Sequence, residues 1–480
     1  MVGIKSYGAY IPRYRMNHST IFSAVGFLGT FPAPGESAVA NHDEDSLTMA
    51  VAAGTDCLRG LKRELVDGLY LATTSQPYMV RQNSALVATA LDLQPGIRTA
   101  DFVGSTKAGT TALLSALDTV KGETANNVLV CASDCRLSKP GSPQEALYGD
   151  GAASLLVGND DVIATFEGAY SVSYDFPDRW RASGEKFEHA WEDRFIRDSG
   201  YTRFVFEVIS GLLKKYKLDI KDFAKIAYPG LYAREHGAVA KQLGAQPGQL
   251  QDTLLSTVGD TGSASPLMML VAALEDAKPG DKILVASFGN GGDAMFFQVT
   301  DKIKTPAQRR AVKKHLSSKK ELTSYEKYLA FRNLAPMDLG MRGEMHIRTP
   351  MSALFRERRQ ILSLVGSRCK KCGTPQYPYQ RVCVNPDCGA IDQMEDYRFS
   401  DKTGVIFTYT GDNLAASIDP PSIYGLVDFD GGGRYWFDFT DCDLESIKVG
   451  MPVEMTFRRR YVDEPSGVHG YSWKATPIRA

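Results

Sequence analysis

Cysteine is scarce in this sequence, with eight in 480 residues, and four of those crowd into one short stretch from Cys369 to Cys388. So thin a supply excludes a disulfide scaffold and fits a reducing compartment. Excess charge of either sign is also absent. Lys and Arg number 55 against 56 Asp and Glu, a net charge of -1, so no overall field draws the chain to nucleic acid or to an anionic membrane. No apolar run approaches the roughly 18–20 residues that cross a bilayer. The opening residues MVGIKSYGAYIPRYRMN carry neither the apolar core of a signal peptide nor an acylation motif, so the cytoplasm is the expected location. Hydrophobic residues at 43% and charged residues at 23% are ordinary for a globular chain and exclude disorder, collagen and coiled coil. The length exceeds one ordinary core and predicts two or three domains.

To about residue 300 the sequence alternates short β-rich runs with Ala/Leu-rich helical stretches, the pattern of an α/β fold. Strands are expected at GLYLAT (68–73), NVLVCAS (127–133), AASLLVG (152–158), AKIAYP (224–229), KILVASF (282–288) and AMFFQVT (294–300). The segment TTALLSALDTVKGETANNVLVCASD has a counterpart in SPLMMLVAALEDAKPGDKILVASFG: apolar helix, polar loop, buried strand. Two similar halves, about 1–160 and 161–335, are therefore expected to stack with their helices in a shared core. A site belongs where strand ends and helix N-termini of both halves converge. Residues 336–367 read as a linker ending in an amphipathic helix, and the runs after residue 394 as the short strands of a small β-barrel.

Cys369-Lys-Lys-Cys372-Gly and, ten residues on, Cys383-Val-Asn-Pro-Asp-Cys388-Gly form a four-thiolate pattern. Two tight turns, each freed by the following Gly373 or Gly389, present two sulfurs apiece and close a tetrahedral shell with no vacant position. The expectation is a structural zinc in residues 368–393. The competing reading, two disulfides, runs against the expected compartment.

The runs GIKSYGAYIPRYRMN, STKAGTTAL, YGDGAAS, VGDTGSASPL and KPGDKILVASFGNGGDA resemble the thiolase superfamily, specifically the short archaeal-type hydroxymethylglutaryl-CoA synthases. Residues beyond about 350 resemble the zinc-ribbon/OB-fold family that partners thiolases and acyl-CoA lyases. The resemblance implies a duplicated thiolase-like layered α/β fold over 1–335, then a rubredoxin-like zinc ribbon (368–393) and an OB-fold barrel (394–480). It also implies a homodimer or higher homo-oligomer, and coenzyme A as part of the substrate.

The family's Glu–Cys–His triad does not carry over. Thr106 of Ser105-Thr106-Lys107-Ala108-Gly109-Thr110 occupies the cysteine position, Thr74 the glutamate position and Tyr228 the histidine position. The expected asparagine is Asp260. A helix N-terminus makes a cysteine thiolate a competent acyl acceptor, whereas a threonine hydroxyl needs an adjacent strong base. Cys131 and Cys135 read as structural. The turn Ser287-Phe288-Gly289-Asn290-Gly291-Gly292 resembles the one that completes the family's oxyanion hole, with Gly289 as its donor. An enolate-stabilising pocket without a nucleophile suits aldol or retro-aldol chemistry between an acyl-CoA and an aldehyde or ketone. The pocket resembles that of the thiolase-like acyl-CoA retro-aldolases, which lack the cysteine and use a tyrosine; the resemblance implies Tyr228 as the acid–base residue, helped by His236, Asp260 or Asp150. Two alternatives stay open: a condensing acyltransferase with a displaced nucleophile, and a non-catalytic acyl-CoA-binding subunit. The aromatics Tyr409, Tyr435, Trp436 and Phe437 with Arg458, Arg459 and Arg460 read as barrel core and surface, so no nucleic acid and no membrane are expected as partners.

Overall fold

Each β-rich run expected in the first 300 residues forms a strand, and the helical stretches between them form helices. The computed structural model describes residues 1–28, 34–304, 309–338 and 348–479. They divide into one unit of Met1–Ala40, Met49–Ala88 and Leu93–Tyr328, and a second of Asn41–Thr48, Thr89–Asp92 and Leu329–Ala480. Part of the expected linker, 339–347, lies outside the described residues.

The strands of the first unit's main sheet are β1 (Gly3–Tyr10), β2 (Gly68–Ala72), β3 (Arg98–Phe102), β4 (Asn127–Asp134), β5 (Gly151–Gly158), β6 (Ala164–Ser173), β7 (Lys225–Ala227), β8 (Lys282–Ala286) and β9 (Gly291–Val299). They form one sheet system in the order β7-β8-β9-β6-β1-β5-β4-β2-β3. Duplication is visible in the pairing. In one half β2 runs parallel to β4, and β4 antiparallel to β5; in the other β7 runs parallel to β8, and β8 antiparallel to β9. Only two residue pairs, Gly3 with Thr165 and Ile4 with Ala164, stitch β1 to β6 and so join the halves.

Three helices explain the layers: α1 (Ala108–Lys121), α2 (Thr202–Tyr216) and α3 (Ser265–Asp276). α1 buries Ala108, Ala112, Leu113, Ala116, Leu117 and Val120, and α3 is buried from Leu267 to Leu274; both belong to one core with strands of each half. A helix apolar on all sides must be covered on all sides, and α3 is. α2 is amphipathic instead. Its Phe204, Val205, Val208, Ile209 and Leu212 share one face and cover the second half in a separate core.

In the second unit, helices Met351–Arg356 and Arg358–Ser363 lead into strand Val365–Cys369, which pairs with Pro375–Gln376 and Met394–Arg398 around the cysteine cluster. The barrel strands follow: β10 (Thr403–Asp412), β11 (Ser422–Phe429), β12 (Arg434–Asp438), β13 (Pro452–Asp463) and β14 (Val468–Pro477). Their order is β12-β11-β10-β13-β14, and a bridge between Phe439 and Ala475 nearly closes it. Burial alternates along β11 as the period of a strand requires. Among the described residues no helix is long and apolar enough to cross a membrane.

Buried charge also belongs to this unit. Arg458, 2% exposed, pairs with Glu44 and with Asp441 (2.7 Å), while Lys474 pairs with Asp43 (2.9 Å) and Arg479 with Asp441 (2.7 Å). Burial pushes the Asp43 carboxyl up, but Lys474 and Arg458 outweigh it and hold the group far below the usual carboxylate range. Removing one partner of such a cluster leaves charge stranded in low dielectric. Arg458→Met is predicted to destabilise the second unit by about 3–5 kcal/mol, read as a lower urea midpoint for the full chain.

Candidate functional site

Two neighbouring recesses in the first unit share Thr106, Asp178 and Arg179 in their linings. The outer one, about 570 Å³, is lined by Thr74, Gln76, Pro77 and Met79, by residues 103–106, by the hairpin between Asp178 and Glu188, and by Asn290. The inner one, about 10 Å³, is floored by Pro229, Leu231, Asp260, Gly262 and Phe288. Among the described residues lining either recess there is no cysteine and no histidine.

Thr106 sits where β3 turns into α1. Its hydroxyl donates to the carbonyl of Phe288 at 2.8 Å. An amide carbonyl is no base, so the hydroxyl is held without being activated. Gly289 packs directly on it: a Cβ at 289, where φ is +154°, would collide with Thr106 Oγ1 and Ser105 Oγ. The N–H of Gly289 is already given to the carbonyl of Gly291 (3.1 Å). Gly289 therefore supplies close approach, not the oxyanion donor expected of it. The backbone N–H of Thr106, just before α1, is one of the N–H groups at this helix end that make no backbone hydrogen bond among the described residues, and it can face an anion.

Asp260 lies at the centre of a buried ion cluster. Its Oδ2 meets Arg136 Nη2 at 2.7 Å and Arg179 Nη1 at 3.3 Å, and its Oδ1 accepts from the N–H of Gly262 at 3.0 Å. Arg136 lies over the ring of Tyr148 (4.0 Å), whose hydroxyl donates to Glu188 (2.8 Å). Burial alone pushes the Asp260 carboxyl up; Arg136 and Arg179 outweigh it and hold the group below the usual range. Burial also lifts the Tyr148 hydroxyl to about 12, with the two guanidiniums opposing. Asp260 is thus a fixed anion that holds two cations, and it accepts no proton near neutrality.

Beside it Asp134 is wholly buried and accepts six hydrogen bonds: Thr73 Oγ1 (3.1 Å), Thr74 N (2.7 Å) and Oγ1 (3.0 Å), Ser75 Oγ (2.8 Å), and Ser263 N and Oγ (2.7 Å each). Asp134 locks the loop after β2, and through it Thr74, against the start of α3.

The other expected residues lie elsewhere. Tyr228 has no exposed surface, stacks on His236 (4.1 Å between ring centres) and donates its hydroxyl to the carbonyl of His236 at 2.8 Å. Neither lines a recess, so the expectation that Tyr228 handles the proton with help from His236 is corrected by its burial in the core under α2. Asp150 is corrected too: its Oδ2 accepts from the N–H of Ala40 (2.7 Å), a tie between chain segments outside the recesses. Cys131 lies inside β4 with Ser154 donating to its sulfur (3.1 Å), and burial pushes its thiol up to about 12. Arg136, Asp178, Arg179 and Glu188 escaped the sequence reading. The one available signal was the charged pair in Phe176-Pro177-Asp178-Arg179-Trp180, within a stretch of no clear periodicity.

In the second unit the four sulfurs of Cys369, Cys372, Cys383 and Cys388 all lie within 4.8 Å of one another. Cys369 and Cys388 approach to 3.8 Å, and Cys372 and Cys383 to 3.5 Å. A tetrahedral zinc with bonds of about 2.3 Å sets sulfurs about 3.8 Å apart, so the residues fit a structural zinc. The glycines after each pair take positive φ, +79° at Gly373 and +56° at Gly389, as the turns need.

Comparison with known proteins adds relatives to this geometry. Residues 356–392 match the family described as ChsH2, rubredoxin-like zinc ribbon domain, and 397–458 match ChsH2, C-terminal OB-fold domain. Residues 213–297 match the C-terminal family of 3-oxoacyl-(acyl-carrier-protein) synthase III. The hydroxymethylglutaryl-CoA synthase of Thermococcus gammatolerans is 32% identical over 338 residues, covering 69% of this chain and 96% of that protein. The synthase of Methanopyrus kandleri is 31% identical over 336 residues, 68% of this chain and 96% of that protein. Among solved structures, HMG-CoA synthase complexed with CoA superposes with a TM-score of 0.61 at 20% identity, over 73% of this chain and 94% of that one. The 3-oxoacyl-(acyl-carrier-protein) synthase III of Aquifex aeolicus gives 0.54 at 20%, over 62% of this chain and 100% of that one. These two establish the thiolase-like fold of the first unit.

Elemental analysis of the purified chain is predicted to find one zinc per polypeptide. Cys383→Ser is predicted to lose that zinc and unfold the ribbon, while the first unit keeps its helical circular dichroism.

Proposed function

The chain belongs to the hydroxymethylglutaryl-CoA synthase family, and on that premise we propose that it makes or breaks the Cα–Cβ bond of an acyl-CoA thioester without carrying the acyl group on a cysteine. One observation carries this reading: the hydroxyl of Thr106, at the family's nucleophile position, is bound to the Phe288 carbonyl in a recess lined by no cysteine or histidine. An acyl-enzyme there needs an activated hydroxyl, and the Thr106 hydroxyl gives its proton to an amide carbonyl, which is no base.

The rest of the pocket suits an enolate. The N–H of Thr106 lies at the positive end of a 14-residue helix, where a thioester enolate oxygen gains most from a fixed dipole. In one direction the enolate adds to an aldehyde or ketone. In the other, a β-hydroxyacyl-CoA splits into the carbonyl compound and a shorter acyl-CoA. Family membership supports the condensing direction, and the missing nucleophile supports an aldol rather than a ping-pong course. The proposal includes a homodimer: β3 ends the sheet order, and a second copy would extend the sheet there.

The test pairs turnover with intact-protein mass. Incubated with a panel of β-hydroxyacyl-CoA thioesters, the enzyme is expected to release a carbonyl compound and a shorter acyl-CoA, with no acyl adduct on the protein. Thr106→Val keeps the shape and removes the hydroxyl, and its activity is expected to fall by less than about tenfold. A nucleophile's removal would cost about a thousandfold or more. An acyl adduct on any residue during turnover supports a conventional acyltransferase instead.

A further inference from the structure

We propose that Asp178 is the residue that takes and returns the proton in this recess, a deepening that rests on the enolate reading above. Elimination and placement carry it. The inner recess holds three ionisable side chains: Asp178, Arg179 and Asp260. Arg179 stays protonated at any ordinary pH, and Asp260 is pinned by two guanidiniums and an amide. Asp178 remains. It lines both recesses with Thr106, and it is 4% exposed.

Its backbone is fixed from two directions. The N–H of Asp178 donates to the carbonyl of Phe176 (2.9 Å), and its own carbonyl accepts from Trp191 (3.1 Å), closing the neck of the hairpin. The turn beside Thr106 holds the same segment: Asn290 Nδ2 donates to the Phe176 carbonyl (2.9 Å), and the Tyr174 N–H donates to the Asn290 carbonyl (3.0 Å). One carboxylate is thereby registered against the helix end where the enolate oxygen would lie.

The surroundings suit a proton carrier. Arg179 and Glu188 act on it from the hairpin, Arg181, Glu185 and Lys186 share the outer lining with it, and Asp260 shares the inner one; Thr106 and Asn290 bring no charge. Burial pushes the Asp178 carboxyl up, the backbone N–H and guanidinium of Arg179 oppose this, and Glu188 adds to it. A raised carboxyl is a stronger base when ionised and still gives its proton back readily.

In the cleaving direction, the Asp178 carboxylate removes the proton from the β-hydroxyl. The oxygen's electron pair forms the new C=O, the Cα–Cβ bond breaks, and its electrons pass into the thioester enolate. The Asp178 carboxylic acid then protonates the α-carbon, which releases the shorter acyl-CoA and restores the carboxylate. Condensation is the reverse, beginning with removal of an α-proton.

That first step is measurable without a second substrate. Propionyl-CoA in deuterated buffer, followed by NMR, is expected to exchange its α-protons on the wild-type enzyme. Asp178→Asn is expected to slow both exchange and C–C cleavage by about 10²–10⁴-fold, while propionyl-CoA binds within about threefold of wild type. Because the carboxylate is the working form, the rate falls as pH drops through the Asp178 pKa, and Asp178→Glu, partly active, is expected to move that acidic limb. Exchange and cleavage near wild-type rates in Asp178→Asn overturn the assignment and leave the enolate reading standing. Neither exchange nor cleavage in the wild type overturns both. Should Asp178→Asn fail to fold, an acidic limb unmoved in Asp178→Glu overturns the assignment by itself.

Discussion

The pairing of Asp260 with Arg136 and Arg179 holds the pocket together. Each partner comes from a different part of the chain: the turn before α3, the loop after β4, and the hairpin that follows β6. Nothing in helix or sheet hydrogen bonding requires those three segments to meet. Two guanidiniums on one buried carboxylate do, because separating them would leave charge in low dielectric at a cost of several kcal/mol. The hairpin brings Asp178 and Glu188 with it, and the turn brings Ser263 onto Asp134. The recess is as much a product of this cluster as of the sheet.

The layered fold was legible because burial leaves a periodic record. The apolar runs of β4, β5 and β8 and the uniformly apolar α3 read as buried elements on sight, and the repeated helix–loop–strand pattern told of two halves. The four-cysteine cluster was legible for a different reason: metal ligation fixes residue type and short spacing together. Asp178 and Arg179 left no such record. They lie in an irregular hairpin whose strands are two residues each, Arg179–Trp180 and His189–Ala190, too short for any pattern. Tyr228 misled for an allied reason. A tyrosine at a strand end reads alike whether its hydroxyl faces a pocket or a backbone carbonyl, and here it reaches the carbonyl of His236.

The second unit shows the same limit of a linear reading. A sequence-drawn boundary near residue 335 assigns everything before it to the first domain, yet Asn41–Thr48 and Thr89–Asp92 belong with the barrel. The reason is electrostatic. Asp43 and Glu44 neutralise Arg458 and Lys474, Tyr471 donates to Asp45 (2.7 Å), and Asp92 takes Arg359 (3.1 Å) and Arg398 (2.7 Å). Acidic residues scattered early in the chain look like ordinary surface until the basic strands that bury them are in place.

In the proposed function Thr106 and Asp260 work to the same end. A cysteine at a helix N-terminus is reactive because its surroundings favour a negative sulfur. An asparagine nearby leaves that field intact, whereas a carboxylate in the same small recess opposes it. Arg136 and Arg179 are matched by Asp260 and Glu188, and the Asp178 carboxylate adds a further negative charge, so the cluster gives a thiolate no positive field. Such a centre favours short-lived charge that moves between groups already in place: a proton on a carboxyl, a negative oxygen at the end of α1. On the proposed function, a recess whose central anion is held by two cations suits charge passing through an enolate better than an acyl group stored on sulfur.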